Sequence, residues 1–294
     1  MAKTNSHPMK VLLLGAQGQL GTELVRTNPG HDLHAHTRAE ADLTEERSLV
    51  DCVRLEAPEV VVNTVAFNQT ERCETEPHAA WVVNTLVPRT LARVCGEVGA
   101  RLVHFSTDFV FDGTKGSPYV ESDAPHPINV YGLTKYGGER FVLAASGRNL
   151  VCRTAGLYGK VGSRIKGGNF VQAILSRAEK GEPLRVVNDI SLSPTSAEDL
   201  AAQTWALVAQ SAAGGVYHMT NTGGCTWFEF AQVILQARGL SANLSPIPST
   251  QWPSIMRRSP DTRLVSERLS SLGIKPLRSW REALTSYLKQ TVSS

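Results

Sequence analysis

Residues 10–27, KVLLLGAQGQLGTELVRT, set a short apolar run against a glycine-rich turn and follow it with Leu20, Leu24 and Val25 at helical spacing. That order of strand, turn and helix constrains the fold more than any other stretch of the chain. Glycines at such a turn let the backbone approach a pyrophosphate, and the helix N-terminus adds N–H donors and a positive dipole end. A G-x-x-G-x-x-G string has little weight alone; Gly15, Gly18 and Gly21 gain theirs from lying between a strand and a helix.

The same alternation recurs downstream. HDLHAH reads as a second strand and LTEERSLVDCVRLEA as a helix stopped by Pro58. EVVVNTVAF is a β-branched run suited to a strand buried on both faces, and a helix is expected from Pro77 to Val98. RLVHFSTDFVF predicts a fourth strand, PINVYGLTKYGGERFVLAA a helix and NLVCRTAGLYG a further strand. Repeated βα units predict an α/β fold, a Rossmann-type doubly wound parallel sheet, joined to a smaller mixed C-terminal domain. The boundaries expected are 9–155 for the dinucleotide-binding part, with a return segment near 184–220, and 156–183 with 221–290 for the substrate part. KVGSRIKGG is read as a basic, glycine-rich loop, and NFVQAILSRAEKG as a helix stopped by Gly181.

At 294 residues, 41% hydrophobic and a formal charge of +3, the chain has ample core and no concentrated basic footprint for duplex nucleic acid. Five scattered cysteines without a CxxC pair read as reduced thiols. MAKTNSHP leads into only four apolar residues, and no stretch approaches a membrane span, so secretion and membrane insertion are not expected and a cytoplasmic location is.

Three groups of residues point to chemistry. His36 and Arg38 follow the second strand, where a dinucleotide's adenosine ribose lies; a guanidinium there suits a 2′-phosphate, favouring NADPH with NADH as the alternative. The plain alternative for Arg38 is a solvated surface charge. Tyr131 and Lys135 lie four apart on a predicted helix, hence on one face, and a nearby ammonium is expected to lower the phenol's pKa and make Tyr131 a tuned proton donor. Ser106, Thr107 and Asp108 end the fourth strand at the carboxyl edge of the sheet, where ligands bind; the plain alternative is a capped strand-end turn. His104 and His218 are read as structural, and no HExxH or G-x-S-x-G pattern supports metal, serine or cysteine catalysis.

Taken together, GAQGQLG, DLTEE, VVNTVAFNQTERCETEP, STDFVFDG, YGLTK, RTAGLYG, GGNFV, VVNDISLSPTSAEDLA and RRSPDTRL resemble the extended short-chain dehydrogenase/reductases, and within them the dTDP-4-dehydrorhamnose reductase family, over nearly the whole chain. The resemblance implies a catalytic trio of Thr107, Tyr131 and Lys135, with Tyr131 protonating a sugar oxygen as NADPH reduces a 4-keto group. It implies a pyrophosphate cradle of Gly15, Gly18, Gln19, Leu20 and Gly21, Asp42 and Leu43 beside the adenine, Ala66 near the cofactor backbone, Arg38 near the 2′-phosphate and Lys135 on the nicotinamide ribose. A nucleotide-sugar substrate would meet Ser106, Thr107, Asp108, Phe109, Asn169 and Arg258, and some members of the family form homodimers.

Departures cluster where substrate would lie. Phe109 and Gly156 stand where the family commonly has tyrosine and tryptophan, and Asn68, Gln69 and Thr70 make the loop after the third strand more polar. A tryptophan-to-glycine difference removes on the order of 200 Å² of apolar surface. Trp227 and Trp252 both read first as core, with Trp252 the better placed of the two to stack on a base or sugar. Another nucleotide-linked ketosugar is therefore the alternative substrate. A non-catalytic regulatory subunit, as in the methionine adenosyltransferase β-subunit, is the alternative class.

Overall fold

The computed structural model describes residues 7–40, 42–162, 167–210 and 212–290. The basic stretch expected at 160–168 lies partly outside them. Six parallel strands form the central sheet: β1 (Lys10–Leu14), β2 (Asp32–His36), β3 (Val60–Asn63), β4 (Arg101–Thr107), β5 (Leu150–Thr154) and, after a long excursion in which β6 (Leu184–Val187) forms, β7 (Gly215–His218). Their order across the sheet is β7-β5-β4-β3-β1-β2.

Alternating side chains supply both faces. Val11 and Leu13 of β1 join one core with Val60, Val62, Val103 and Phe105, whereas Leu12 and Leu14 join the opposite one with Val61 and Leu102. Helices α1 (Gln19–Arg26) and α8 (Ala197–Ala209) cover the first face through Leu20, Leu24, Leu200 and Trp205. On the second, α2 (Glu46–Glu56), α5 (Val87–Val98) and α6 (Val130–Ala145) contribute Leu49, Val53, Leu91, Val94 and Val142. Burial on both faces is what the apolar runs require.

Several elements are shorter than expected, each for a local reason. β3 stops at Asn63, whose Oδ1 accepts the Val65 N–H at 3.1 Å and turns the chain before VAF. β4 stops at Thr107, whose hydroxyl caps a 3₁₀ turn at Asp108–Val110. β5 stops before Gly156, which has φ +50°. The helix expected over 77–98 is α4 (Pro77–Trp81), a π turn (Val82–Leu86) and then α5. Pro88 brings no N–H to the Asn84 carbonyl, so the ladder widens there.

The return to the sheet begins later than the expected 184. β6 pairs not with the central sheet but with β8 (Leu244–Ile247); α8 and β7 make the return. Beyond the sheet, α7 (Phe170–Glu179) and α9 (Trp227–Ala237) enclose a separate core with Tyr158, Val171, Ile174, Phe230 and Trp280. No helix among the described residues is long and apolar enough to cross a membrane.

Candidate active site

A cleft of about 1640 Å³ runs along the carboxyl ends of β1, β3 and β4, where the strand order reverses between β1 and β3. Ligands bind such folds at this switch point. At one end lies the glycine turn. Gly15 has φ +86°, and a Cβ on Gly21 would stand 2.1 Å from the Gly15 carbonyl oxygen, so the backbone itself demands glycine at both positions. No side chain caps α1 at Gly18, which leaves its first-turn N–H groups facing the cleft. These features fit a dinucleotide's pyrophosphate.

Each expected cofactor residue lines this cleft except Gly21, which packs beneath the turn: Gly15, Gly18, Gln19, Leu20, Arg38, Asp42, Leu43, Ala66, Tyr131 and Lys135. Gln19 spends its Nε2 on the Leu157 carbonyl at 2.9 Å, tying the turn to the excursion beyond β5. Asp42 accepts from the Thr44 backbone and hydroxyl, which hold its carboxyl below the usual range, and Leu43 is buried in the core. Arg38 is exposed.

At the centre, Tyr131 stands in the first turn of α6, whose N-cap Asn129 accepts from Gly132 N–H at 2.8 Å. Its side chain lines the cleft with Thr107 and meets Phe109 edge-on at 6.0 Å between ring centroids. Thr107 Oγ1 donates to Asp108 Oδ1 at 3.0 Å, and Thr262 donates to Asp108 Oδ2 at 2.5 Å. Burial pushes the Asp108 carboxyl up to about 6, against the pull of those hydrogen bonds.

The expectation that Lys135 lowers the Tyr131 pKa is corrected by this geometry. Burial pushes the Tyr131 hydroxyl well above its ordinary value, with Asp108 and Cys73 adding to the rise and Thr107 opposing it. The Lys135 amine meets His104 Nε2 at 3.4 Å, and burial pulls it down to about 8 despite Glu139. Tyr131 thus stays a phenol at neutral pH. His104 is held from behind by Asn63 at 3.1 Å and His218 by the Tyr119 and Val265 carbonyls, the structural roles expected of both.

Toward the other end lie Ser106, Phe109, Asn169 and Arg258. Both ends of the Asn169 amide are engaged, Oδ1 with Gln172 N–H in a capping box and Nδ2 with the Gly159 carbonyl at 2.9 Å. The buried Ser106 Oγ and Arg258 Nε have no hydrogen-bond partner among the described residues; neither do Asn68 Oδ1 and Thr154 Oγ1, which line the same cleft. Sequence reasoning passed over Thr154. Of the two tryptophans, both read first as core, Trp252 is 43% exposed and does not line the cleft, whereas Trp227 lines it, 4.6 Å from Phe170 between centroids. Trp227 follows Thr226, the N-cap of α9, a capping box legible as T-x-x-E. No cluster of potential metal ligands occurs among the described residues.

A doubly wound sheet with a glycine turn at its switch point and a tyrosine, lysine and threonine at its carboxyl edge is the architecture of a dinucleotide-linked oxidoreductase. The family model described as RmlD substrate binding domain matches residues 9–293, and the chain belongs to that family. It is 35% identical over 287 residues to the spore coat polysaccharide biosynthesis protein SpsK of Bacillus subtilis, covering 97% of this chain and 99% of that one. It is 37% identical over 278 residues to a dTDP-4-keto-6-deoxy-D-glucose reductase of Streptomyces niveus, covering 93% and 94%. The crystal structure of dTDP-4-dehydrorhamnose reductase from Bacillus anthracis in complex with NADP superposes with a TM-score of 0.92 at 32% identity, over 97% of this chain and all of that one.

Proposed function

We propose that this protein is an NADPH-dependent reductase of the 4-keto group of a dTDP-linked 6-deoxyhexose. The observation that carries the reading is that Thr107, Tyr131 and Lys135 line one cleft with the glycine turn, at the carboxyl edge of the sheet. NADPH fits the glycine turn and α1 N-terminus, and supplies the hydride when bound. Tyr131 hands its proton to the developing alkoxide, a step in which a positioned acid contributes roughly 10²–10⁴-fold. Thr107 holds the phenol and the sugar oxygen together. The unpaired Ser106 and Thr154 hydroxyls and the unpaired Arg258 Nε are free to hydrogen-bond the polar edges of a nucleotide-sugar, and Trp227 with Phe170 offers an aromatic wall.

A second reading, another nucleotide-linked ketosugar, is favoured by Gly156. A Cβ there would stand 2.6 Å from Leu192 Cδ1, so no side chain takes the place of the family's tryptophan on this backbone. The regulatory reading is weakened by the survival of all three catalytic residues. Oxidation of NADPH with dTDP-4-keto-L-rhamnose, beside its unepimerised 4-keto precursor, tests the assignment. Turnover of the L-sugar alone supports the first reading, turnover of the precursor alone a different sugar specificity, and silence with both sinks the dTDP-hexose assignment.

A further inference from the structure

Glu71, on the short helix α3 (Thr70–Thr75), holds a segment of the distant C-terminal region by four hydrogen bonds. Its Oε1 accepts from Ser254 Oγ at 2.6 Å and from Arg258 Nη2 at 2.7 Å; its Oε2 accepts from the backbone N–H of Ile255 at 3.1 Å and of Met256 at 3.2 Å. One carboxylate thus fixes a loop and the guanidinium at its end. Arg258 keeps its Nε buried, unpaired and in the cleft. The segment has a second attachment, since Asn129, while capping α6 through Oδ1, donates from Nδ2 to the Arg257 carbonyl at 3.1 Å. The triangle closes through Glu74, whose Oε1 accepts the Val130 N–H at 2.9 Å, immediately before Tyr131.

We propose that Glu71 and Asn129 are positioning residues that fasten the 254–258 segment to the rim of the cleft, presetting Arg258 for the diphosphate of the nucleotide-sugar in register with Tyr131. The ligand identity rests on the reading given under Proposed function. An arginine on an untethered loop loses side-chain and backbone freedom when it binds an anion, and a tether removes that cost beforehand. Glu71 also neutralises only one donor of the guanidinium, which leaves Nε and further N–H groups for a second, bidentate acceptor. Since the same segment is bonded to the N-cap of α6, an anion seated on Arg258 is registered against the helix that carries the phenol.

The test measures dTDP binding to the NADP-loaded full chain by titration calorimetry, together with steady-state kinetics on the ketosugar. Glu71→Gln keeps the size and one oxygen for the Ile255 and Met256 N–H groups, but turns an NH2 that cannot accept toward Arg258 Nη2; it should weaken dTDP and raise KM by about tenfold, the scale of one lost charged hydrogen bond, with kcat little changed. In an Arg258→Ala background the same change should add almost nothing, because the two residues act through one contact. Asn129→Ser keeps an oxygen for the cap and loses the donor to Arg257; it should lower kcat several-fold more than it lowers dTDP affinity. Unchanged dTDP affinity in Glu71→Gln, or an undiminished effect without Arg258, would overturn the proposal. If Glu71→Gln weakens dTDP through Arg258 while the wild type reduces no dTDP-ketosugar, positioning stands and the reductase reading fails; normal turnover with an inert Glu71→Gln gives the reverse.

Discussion

Arg153 on β5 and Glu139 on α6 form a two-pronged ion pair, with Nε to Oε1 at 2.9 Å and Nη2 to Oε2 at 2.7 Å, and side chains only 3% and 1% exposed. The pair lies one turn beyond Lys135 and the Arg153 guanidinium also covers the Phe111 ring. Removing one partner of such a pair strands the other in low dielectric, at roughly 3–5 kcal/mol. Glu139→Ala should therefore lose stability of that order in urea unfolding, and a loss below about 1 kcal/mol, the range of surface pairs, would show that water reaches the arginine.

Tyr131→Phe removes one oxygen and leaves the edge contact with Phe109 in place. Turnover should fall by about 10²–10⁴-fold, the range for a lost general acid, while NADPH affinity by fluorescence titration stays within about twofold. Retained turnover would mean that another group delivers the proton.

Gly138 faces the π turn so closely that a Cβ would stand 2.3 Å from the Asn84 carbonyl oxygen. Asn84 in turn accepts the Phe67 N–H at 2.8 Å and donates to Thr134 Oγ1 at 3.1 Å, so the loop after β3 is bonded to the helix of Tyr131 through this one side chain. Gly138→Ala forces backbone apart; it should cost roughly 1–3 kcal/mol, as overpacking does, and lower kcat as well. An alanine variant as stable as wild type in thermal unfolding would show that α6 can slide without penalty.

What the sequence made legible follows range of interaction. The βα alternation, the glycine turn and the four-residue spacing of Tyr131 and Lys135 are local patterns, and the structure places all of them as read. Spacing tells which residues share a face, not how deeply they are buried or which neighbour each side chain meets: burial raises the Tyr131 hydroxyl, and the Lys135 amine meets His104. Trp252 looked suited to stacking from its proline-flanked setting, yet Trp227 reaches the cleft through the packing of α9 on α7. The Glu71–Arg258 pair joins residues 187 apart in sequence, and no local pattern announces it.

Arg38 stands just past β2 at the expected adenosine end of the cleft, near enough to Asp42 to help hold that carboxyl low. If it receives a 2′-phosphate, Arg38→Ala should raise Kd for NADPH by about tenfold and leave NADH nearly unchanged, since a charge-assisted hydrogen bond is worth about 1.5–3 kcal/mol. Equal losses for both cofactors would return Arg38 to the role of a solvated charge.

Lys135 yields a pH signature whose sign can be worked out. Burial holds its amine at about 8 in the folded chain, against 10.5 ordinarily. The facing groups are His104, itself kept well below its usual value by burial and by Lys135, and Glu139, which favours the charged amine. Below pH 8 both folded and unfolded chains carry the charge and the folded one bears its desolvation. Between about 8 and 10.5 the unfolded chain binds the extra proton, so this group's contribution to stability rises with pH. Lys135→Met removes the buried charge, and at roughly 1.4 kcal/mol per pH unit it should be more stable than wild type at pH 7 by up to a few kcal/mol, the gap closing by about pH 10. Urea unfolding of both proteins at pH 7 and pH 10 checks this. A gap that widens with pH would mean that the folded chain favours the ammonium, the opposite of what burial beside His104 dictates.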